Sequence, residues 1–514
     1  MNLSDRGLKE TDAWKKAGIK LPRFDRAAMI AAAKAKPLWI HFGAGNIFRA
    51  YIAALQQQLL ENGLSDRGIA AAFTLEPEVI DSIWKPCDNL TLSVTLNSNA
   101  TIDKSVIGSV SETLYVDENS QDWPRAVEIF KNPSLQLVSF TITEKGYSSL
   151  ESGAIYKAAQ LLYKRFISNA APIAVVSMDN CSKNGRLLKT SVLESVQRFG
   201  ENYNKAAFID YLTDEKRVSF PWTMIDKITP GPMPGVAAIL KQDGFENADT
   251  IKTALGTFTS AFVNAERTQY LIIEDNFPNG RPPLETTGVI FTDRDTVNKV
   301  EKMKVGACLN PLHITLAVFG RLLNIESIPE SIEDPSIRNL VEILGYDENL
   351  PMVVDPVIIR PADFLSECLN ERFPNPFLKD ACERIVTDTS KKLSPRFGDT
   401  IKSYLKKAPE KLRDLKVIPL TFAGYCRYLM GVDDAGQPIN LSPDPLLAEL
   451  TSYVSGIKLG KPANIHDALA PILSNSDIFG LNIEETDLGG VTEDYFAQMI
   501  SKPGAVRELV DSFR

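Results

Sequence analysis

Lysine, asparagine and histidine stand close together in residues 302–323, KMKVGACLNPLHITLAVFGRLL, a run that is otherwise apolar. Buried polar groups need partners, so Lys304, Asn310 and His313 in such a helix call for an explanation. A lysine amine taken out of water can exchange a proton near neutral pH and serve as general base or acid. An asparagine amide can donate to a carbonyl oxygen or a developing alkoxide, and a histidine three residues later can hold that oxygen or the hydroxyl beside it. The alternative is structural: Lys304 reaches to solvent, Asn310 caps the turn that Pro311 breaks, and His313 fills the core. Residue types alone leave both readings open.

A second cluster has the form of a dinucleotide turn. The segment PLWIHFGAGNIFRAYIAAL at 37–55 runs from an apolar strand through Gly43, Ala44, Gly45 and Asn46 into a helix, where small residues let a pyrophosphate approach backbone N–H groups. Phe48 replaces the third glycine of the usual G-x-G-x-x-G pattern, and Arg49 follows it as a candidate cation for the phosphates. After the next expected strand comes Glu76, in FTLEPEVID, whose carboxylate can accept from a ribose diol and repel a 2′-phosphate, which favours NAD over NADP. Glu78 competes for that role. An ordinary strand-to-helix turn with a solvated Glu76 would give the same letters. His41, in the strand before the glycines, is expected in the core.

Positioning these groups takes more than one core. At 514 residues, the chain exceeds the roughly 250–300 residues at which single cores stop growing, so two domains are expected. Hydrophobic content of 44%, charged content of 24% and a mean hydropathy of −0.09 match a globular protein rather than a disordered or fibrous one. A net charge of −9, with Lys and Arg spread along the chain, argues against nucleic acid or anionic lipid as partner. The N-terminal residues lack the apolar run of a signal peptide, and no later stretch is expected to reach the length needed to span a bilayer, which makes the cytoplasm the expected location. Six scattered cysteines without a C-x-x-C pair, and only three histidines (His41, His313 and His466), argue against a disulfide framework or structural zinc.

The first part alternates apolar runs with helical patterns, as a parallel sheet with crossover helices does. Strands are expected at 38–42, 69–75, 135–143 and 173–178, with a helix over 46–62 ended by Gly63. After the turn-rich FPNGRPPLETTG and one last apolar stretch at 289–292, helical periodicity dominates, including expected helices over 299–324, 376–392 and 492–513. The expected fold is α/β: a Rossmann-type domain over 1–290, then an all-helical domain over 291–514.

Taken in order, IHFGAGNIFRA at 40–50, TITEKGY at 141–147, SMDNCSKNG at 177–185, FPWTMIDKITP at 220–230, IEDNFPNGRPPLE at 273–285, LNPLH at 309–313, RFPNPFLKD at 372–380, IFG at 478–480 and GAVREL at 504–509 resemble the mannitol dehydrogenase family of long-chain polyol dehydrogenases. The resemblance covers nearly the whole chain. It implies metal-independent, NAD-dependent hydride transfer at a keto carbon of a sugar or sugar acid, in a chain that is a monomer or small homo-oligomer. It assigns Lys304 as general base, and Asn310 with Asn180 or Asn184 as the oxyanion hole. His313 would hold substrate oxygens, Asp226 and Arg372 would orient the lysine or bind substrate, and Thr143 and Glu144 would lie near the nicotinamide ribose. The opening GLKETDAWKKAGIKLPRFD looks most like members that act on D-fructuronate and D-mannonate, whose carboxylate an arginine such as Arg360, Arg372 or Arg396 would bind. Members acting on mannitol or tagaturonate are the alternatives, and a catalytically silent nucleotide-binding regulator is the alternative from another class. Lys304 precedes Asn310 by six positions, one more than family members commonly have. On a regular helix the extra residue would turn the lysine to another face, so a π-bulge near Gly306, beside Pro311, is expected to absorb it. Lys302 is the substitute.

Overall fold

The strand Trp39–Phe42 is buried along its whole length, the pattern of a strand covered on both faces. In the computed structural model, which describes residues 1–148, 150–461 and 464–514, it is the centre of a parallel sheet. The chain divides into two compact units, Met1–Asn97 with Thr101–Asn298, and Ser98–Ala100 with Lys299–Arg514.

In the first unit the six strands of the main sheet, in chain order, are β1 (Trp39–Phe42), β2 (Ile69–Phe73), β3 (Val110–Tyr115), β4 (Leu137–Phe140), β5 (Ile173–Ser177) and β6 (Val218–Ser219). They lie in the order β3-β2-β1-β4-β5-β6, every neighbouring pair parallel. This is the doubly wound dinucleotide-binding order, with the reversal between β1 and β4, and ligands of such sheets bind beyond the strands' carboxyl ends at the reversal. From β1 the chain crosses to β2 through a π turn, Phe48–Ile52, and the helix Ala53–Glu61, ending at Gly63 with φ of +68°. The helix Ala154–Ser168 crosses from β4 to β5 and puts Ile155, Ala158, Leu161 and Leu162 into one core with Phe42, Phe140 and Val175.

The first unit also holds strands that hydropathy does not announce. Ile19–Lys20, Ile102–Ile107, Thr91–Leu96 and Phe262–Glu266 form one further sheet, and Thr223–Asp226, Tyr270–Glu274 and Ile290–Thr292 form another.

The second unit is helical. Arg294–Leu322 is one long helix interrupted by a π turn, and by length and composition it is apolar enough to cross a membrane, which corrects the expectation that no stretch reaches that length. Its most apolar window is 72% buried, the character of a core helix. Within it, Asn310–Leu322 packs on Val417–Tyr428, and Thr315 Oγ1 and Thr421 Oγ1 share a hydrogen bond of 3.1 Å. The expected helix over 376–392 is replaced by Cys382–Ile385 and Thr389–Leu393. Asn375 Oδ1 accepts from Phe377 N at 3.1 Å in the turn before them, and Asp388, at a left-handed φ of +54°, separates the two short helices. The run 492–513 likewise divides into Asp487–Ile500 and Ala505–Asp511 at Gly504, whose φ of +86° suits glycine.

Glu348, only 3% exposed, locks the start of Val417–Tyr428. Its carboxylate accepts from the N–H groups of Lys416, Val417 and Ile418 at 2.6, 2.7 and 2.9 Å, so one side chain satisfies three of the donors that a helix start leaves open. Glu348→Ala should cost roughly 3 kcal/mol or more, since each buried donor left unpaired costs about 1–3 kcal/mol. Glu348→Gln, which keeps one acceptor oxygen, should cost less, and urea unfolding midpoints of the two variants test this ordering.

Candidate functional site

At the end of β1 the chain turns at Gly43, whose φ is +89° and where a Cβ would meet Thr141 O at 2.2 Å, so only glycine fits beside β4. Gly45 is different: a Cβ there meets nothing within 4 Å. The first helical bond runs from Arg49 N to Gly45 O at 3.0 Å, so the N–H groups of Asn46, Ile47 and Phe48 have no helical acceptor. Open space beside these donors is the setting a pyrophosphate needs, and the turn fits a dinucleotide.

Arg49 does not present a cation there. Its side chain is buried, with Nη1 donating to Ser260 O at 2.6 Å and Nη2 to Asn46 Oδ1 at 2.8 Å. It ties the helix start to the hairpin of Thr250–Lys252 and Phe258–Ser260, which corrects the expectation of a phosphate ligand. Asn46 is engaged by the same bond and donates to Pro230 O at 3.4 Å. Past β2, Glu76 sits at φ of +52° and accepts from Thr257 Oγ1 at 3.2 Å, while Glu78 accepts from Ala254 N at 3.1 Å. Both carboxylates therefore anchor the 253–257 turn, and Glu76 keeps lone pairs for a diol. His41 is a core residue as expected. It has no exposure, bonds Ser139 Oγ at 2.6 Å and Thr141 Oγ1 at 2.9 Å, and stacks on Phe48. Burial holds its pKa down at about 3.

Thr143 and Glu144 are exposed beyond β4, Thr143 as the N-cap residue of the turn Glu144–Tyr147. Beyond β5 the two candidate asparagines differ. Asn184 is fully buried, with Nδ2 donating to Asp179 O at 2.9 Å and Thr223 Oγ1 at 2.8 Å, and Oδ1 accepting from Thr223 N at 3.0 Å. Both amide hydrogens are committed, so Asn184 has none to give a substrate oxygen. Asn180 is exposed, and its amide has no partner among the described residues. Asp226 ends its strand with 5% exposure.

In the second unit the π turn expected near Gly306 is present, spanning Lys304–Cys308, with Leu309 N donating to Lys304 O at 3.1 Å. Pro311 has no N–H for Ala307 O, and Asn349 Nδ2 takes that carbonyl at 2.9 Å. Thr400 Oγ1 donates to Gly306 O at 3.3 Å. The carbonyls freed by the interruption are thus received by side chains from elsewhere in the unit. Lys304 begins the turn, partly exposed, and Asn310 begins the helix beyond it. Lys302 instead lines a cavity of about 390 Å³ with Gly306, Ala307 and Thr400, which none of Lys304, Asn310 and His313 touches.

His313 lies in a cationic setting. Burial first, then Arg396, Arg384, Arg372 and Lys392, hold its pKa down at about 3, so the ring is neutral. Its Nε2 stands 3.8 Å from Asp380 Oδ2, and Asp380 is paired with Arg384. Arg372 is buried in the π turn Cys368–Arg372. Arg360 is exposed and stands 3.6 Å from Asp363. His466 forms a surface cluster with Glu493 at 2.8 Å and Glu484 at 3.9 Å.

Residues 38–286 match the mannitol dehydrogenase Rossmann domain and residues 296–495 the mannitol dehydrogenase C-terminal domain. A D-mannonate oxidoreductase of Thermotoga maritima is 46% identical over 99% of this chain and 98% of its own length. The chain belongs to the mannitol dehydrogenase family. As a member it is an oxidoreductase acting on CH–OH groups. The D-mannonate oxidoreductase of Escherichia coli is 28% identical over 93% of this chain and 97% of its own length. A solved mannitol 2-dehydrogenase of Pseudomonas fluorescens shares the fold, with a TM-score of 0.70, 23% identity, and coverage of 99% of this chain and 100% of that one.

For a mannitol dehydrogenase family chain, sequence reasoning missed the residues that hold the π turn, Asn349 and Thr400, and the cations Arg384 and Lys392. Neither Asn349 nor Thr400 lies near the turn in sequence, and no spacing rule joins them to it. Arg384 in ACERIV and Lys392 in SKKLSPRF read equally well as parts of a solvated face.

The depressed histidines set a pH dependence. A histidine at about 3 folded and about 6.5 unfolded lets the unfolded chain bind more protons, so its stability contribution is whole above pH 6.5 and is lost as pH falls. His313 keeps 19% exposure, so the effect is read more cleanly at His41. Replacing His41 with Asn should reduce the stability lost between pH 7.5 and pH 5 by about 2 kcal/mol, measured by urea unfolding at both pH values.

Proposed function

We propose that the chain is an NAD-dependent oxidoreductase interconverting D-fructuronate and D-mannonate, a keto-sugar acid and its polyol acid, with a lysine as acid and base and no metal. The observation that carries this reading is the 46% identity, over 99% of the chain, to a D-mannonate oxidoreductase. The first unit supplies the cofactor's site: Gly43 and Gly45 at the pyrophosphate, and Thr143 and Glu144 toward the nicotinamide ribose. Glu76 takes the adenosine ribose diol, and its charge selects against a 2′-phosphate. Bound NADH supplies the hydride to the keto carbon.

The chain's own residues do the rest. Asn310 and Asn180 donate to the keto oxygen as charge develops on it, the term that usually contributes most to such a barrier. Lys304 delivers the proton to that oxygen, and takes it back in oxidation. The neutral His313 holds the neighbouring hydroxyl, and Asp226 and Arg372 orient lysine and substrate. Asn184 keeps a structural role in this scheme. A cytoplasmic monomer or small homo-oligomer, acting on a small molecule without nucleic acid or membrane, completes the reading. Mannitol and tagaturonate rank below D-mannonate because the more similar relative carries the mannonate name.

NADH oxidation by the purified protein, with EDTA present, across D-fructuronate, D-tagaturonate and D-fructose and beside an NADPH control, tests the reading. D-fructuronate with NADH should exceed the other substrates by about tenfold or more in kcat/KM. Binding of NADH without turnover of any of the three would contradict it and favour a silent regulator.

A further inference from the structure

Asp179, just past β5 in the first unit, is a carboxylate with 5% exposure and, among the described residues, no lysine or arginine within ion-pair distance. Burial raises its pKa, and the hydrogen bonds it accepts from Tyr147, Ser177 and Cys181 oppose that rise. A carboxylate taken out of water without a counter-ion is costly, and a serine or asparagine could close a local turn at lower cost. What the carboxylate adds is acceptor capacity on both oxygens.

All of that capacity is directed at one short stretch of chain. Oδ2 accepts from the Tyr147 hydroxyl and from Ser177 Oγ, the latter at 2.8 Å, and the two hydroxyls lie 2.7 Å apart. Oδ1 accepts from Cys181 N at 3.0 Å. The backbone carbonyl of Asp179 accepts from Asn184 Nδ2 at 2.9 Å, and Asn184 is itself held by Thr223. Between these bonds stands Asn180, whose side chain is exposed. The peptide group on each side of it is gripped, one through the Asp179 carbonyl and the other through the Cys181 N–H. With both peptide planes held, the two soft dihedrals of Asn180 are restrained, and the direction in which its side chain leaves the backbone is set.

Tyr147 brings a second constraint. It is 4% exposed and ends the turn Glu144–Tyr147 beyond β4, the segment that begins at Thr143. β4 and β5 are neighbouring parallel strands, so the Tyr147–Asp179 bond ties the chain beyond one carboxyl end to the chain beyond the next.

We propose that Asp179, fastened by Tyr147, is a positioning residue for Asn180: it holds the backbone on both sides of that asparagine so that the amide is aimed before the keto oxygen arrives. A donor fixed in advance stabilises developing charge without reorganising during the reaction. The inference rests on the oxyanion role given to Asn180 above and goes beyond it by naming what sets the donor's direction.

A double-mutant cycle on Tyr147 and Asn180 tests it, read as kcat and KM for NADH-dependent reduction of D-fructuronate together with the Kd of NADH. Tyr147→Phe removes only the hydroxyl that fastens Asp179. It should lower kcat by about 10-fold or more while KM and NADH affinity stay near wild type. Asn180→Ala should lower kcat by about 100-fold or more. In the double variant, Tyr147→Phe should cost no more than about twofold beyond Asn180→Ala, because the group it positions is gone. Asp179→Asn, which keeps an acceptor for Cys181 N, should retain more kcat than Asp179→Ala. Losses that multiply in the double variant would overturn the proposal and leave Asn180 its role, as would a Tyr147→Phe protein with unchanged kcat, or one whose loss lies in NADH affinity or KM. An Asn180→Ala protein with wild-type kcat would remove the oxyanion role itself, and the positioning role with it.

Discussion

A helix that must carry both Lys304 and Asn310 cannot run regularly through Pro311. The proline removes one backbone donor, and the six-residue spacing would turn the lysine to another face of a regular helix. The chain meets both constraints with a single π turn at Lys304–Cys308, which absorbs one residue, and the surrounding unit is organised to keep it. Asn349 reaches Ala307 O from the end of another π turn, and Thr400 reaches Gly306 O from the helix Asp399–Lys407. Just beyond Asn349's neighbour Glu348 lies the helix start that this carboxylate caps. The interruption, the residues that satisfy it and the packing of the helical core are thus one connected arrangement.

The same region concentrates positive charge in a chain whose net charge is −9. His313 stays neutral because burial and the neighbouring cations all disfavour a further proton. A neutral imidazole can both accept and donate, which suits holding a substrate hydroxyl better than a proton-transfer role. The first unit works by different means. Its turn after β1 relies on backbone groups and empty space at Gly45, while its one nearby cation, Arg49, braces the hairpin that Glu76 also anchors. This turn presents oriented N–H groups rather than a side-chain charge.

Much of this was legible in the letters. The β1-to-β2 unit follows from an apolar run, two glycines and a helical stripe, and the π turn follows, by the resemblance, from one residue more than family members commonly have, next to a proline. What was hidden is hidden for physical reasons. Short strands such as Thr91–Leu96 are stabilised by their neighbours in space, and local pattern does not carry that information. The 376–392 stretch has helical periodicity, but the turn at Asn375 and the left-handed Asp388 interrupt it. Arg49 and Asn184 have the residue types of ligands, yet partners distant in sequence, Ser260 and Thr223, engage their side chains. The expected helix over 299–324 is long enough to span a bilayer, but Lys302, Lys304 and Pro311 interrupt its apolar run in sequence and hide that.

In the proposed reaction Lys304, set by the π turn, moves the proton at the substrate oxygen. Chemical rescue tests it most directly: the rate of NADH oxidation with D-fructuronate by Lys304→Ala, without and with added primary amine. The account predicts a loss of about 100- to 10,000-fold, partly restored in proportion to the concentration of free amine, with NADH affinity unchanged. A Lys304→Ala protein that keeps its rate, or a loss that no amine restores while NADH binding fails as well, would contradict it.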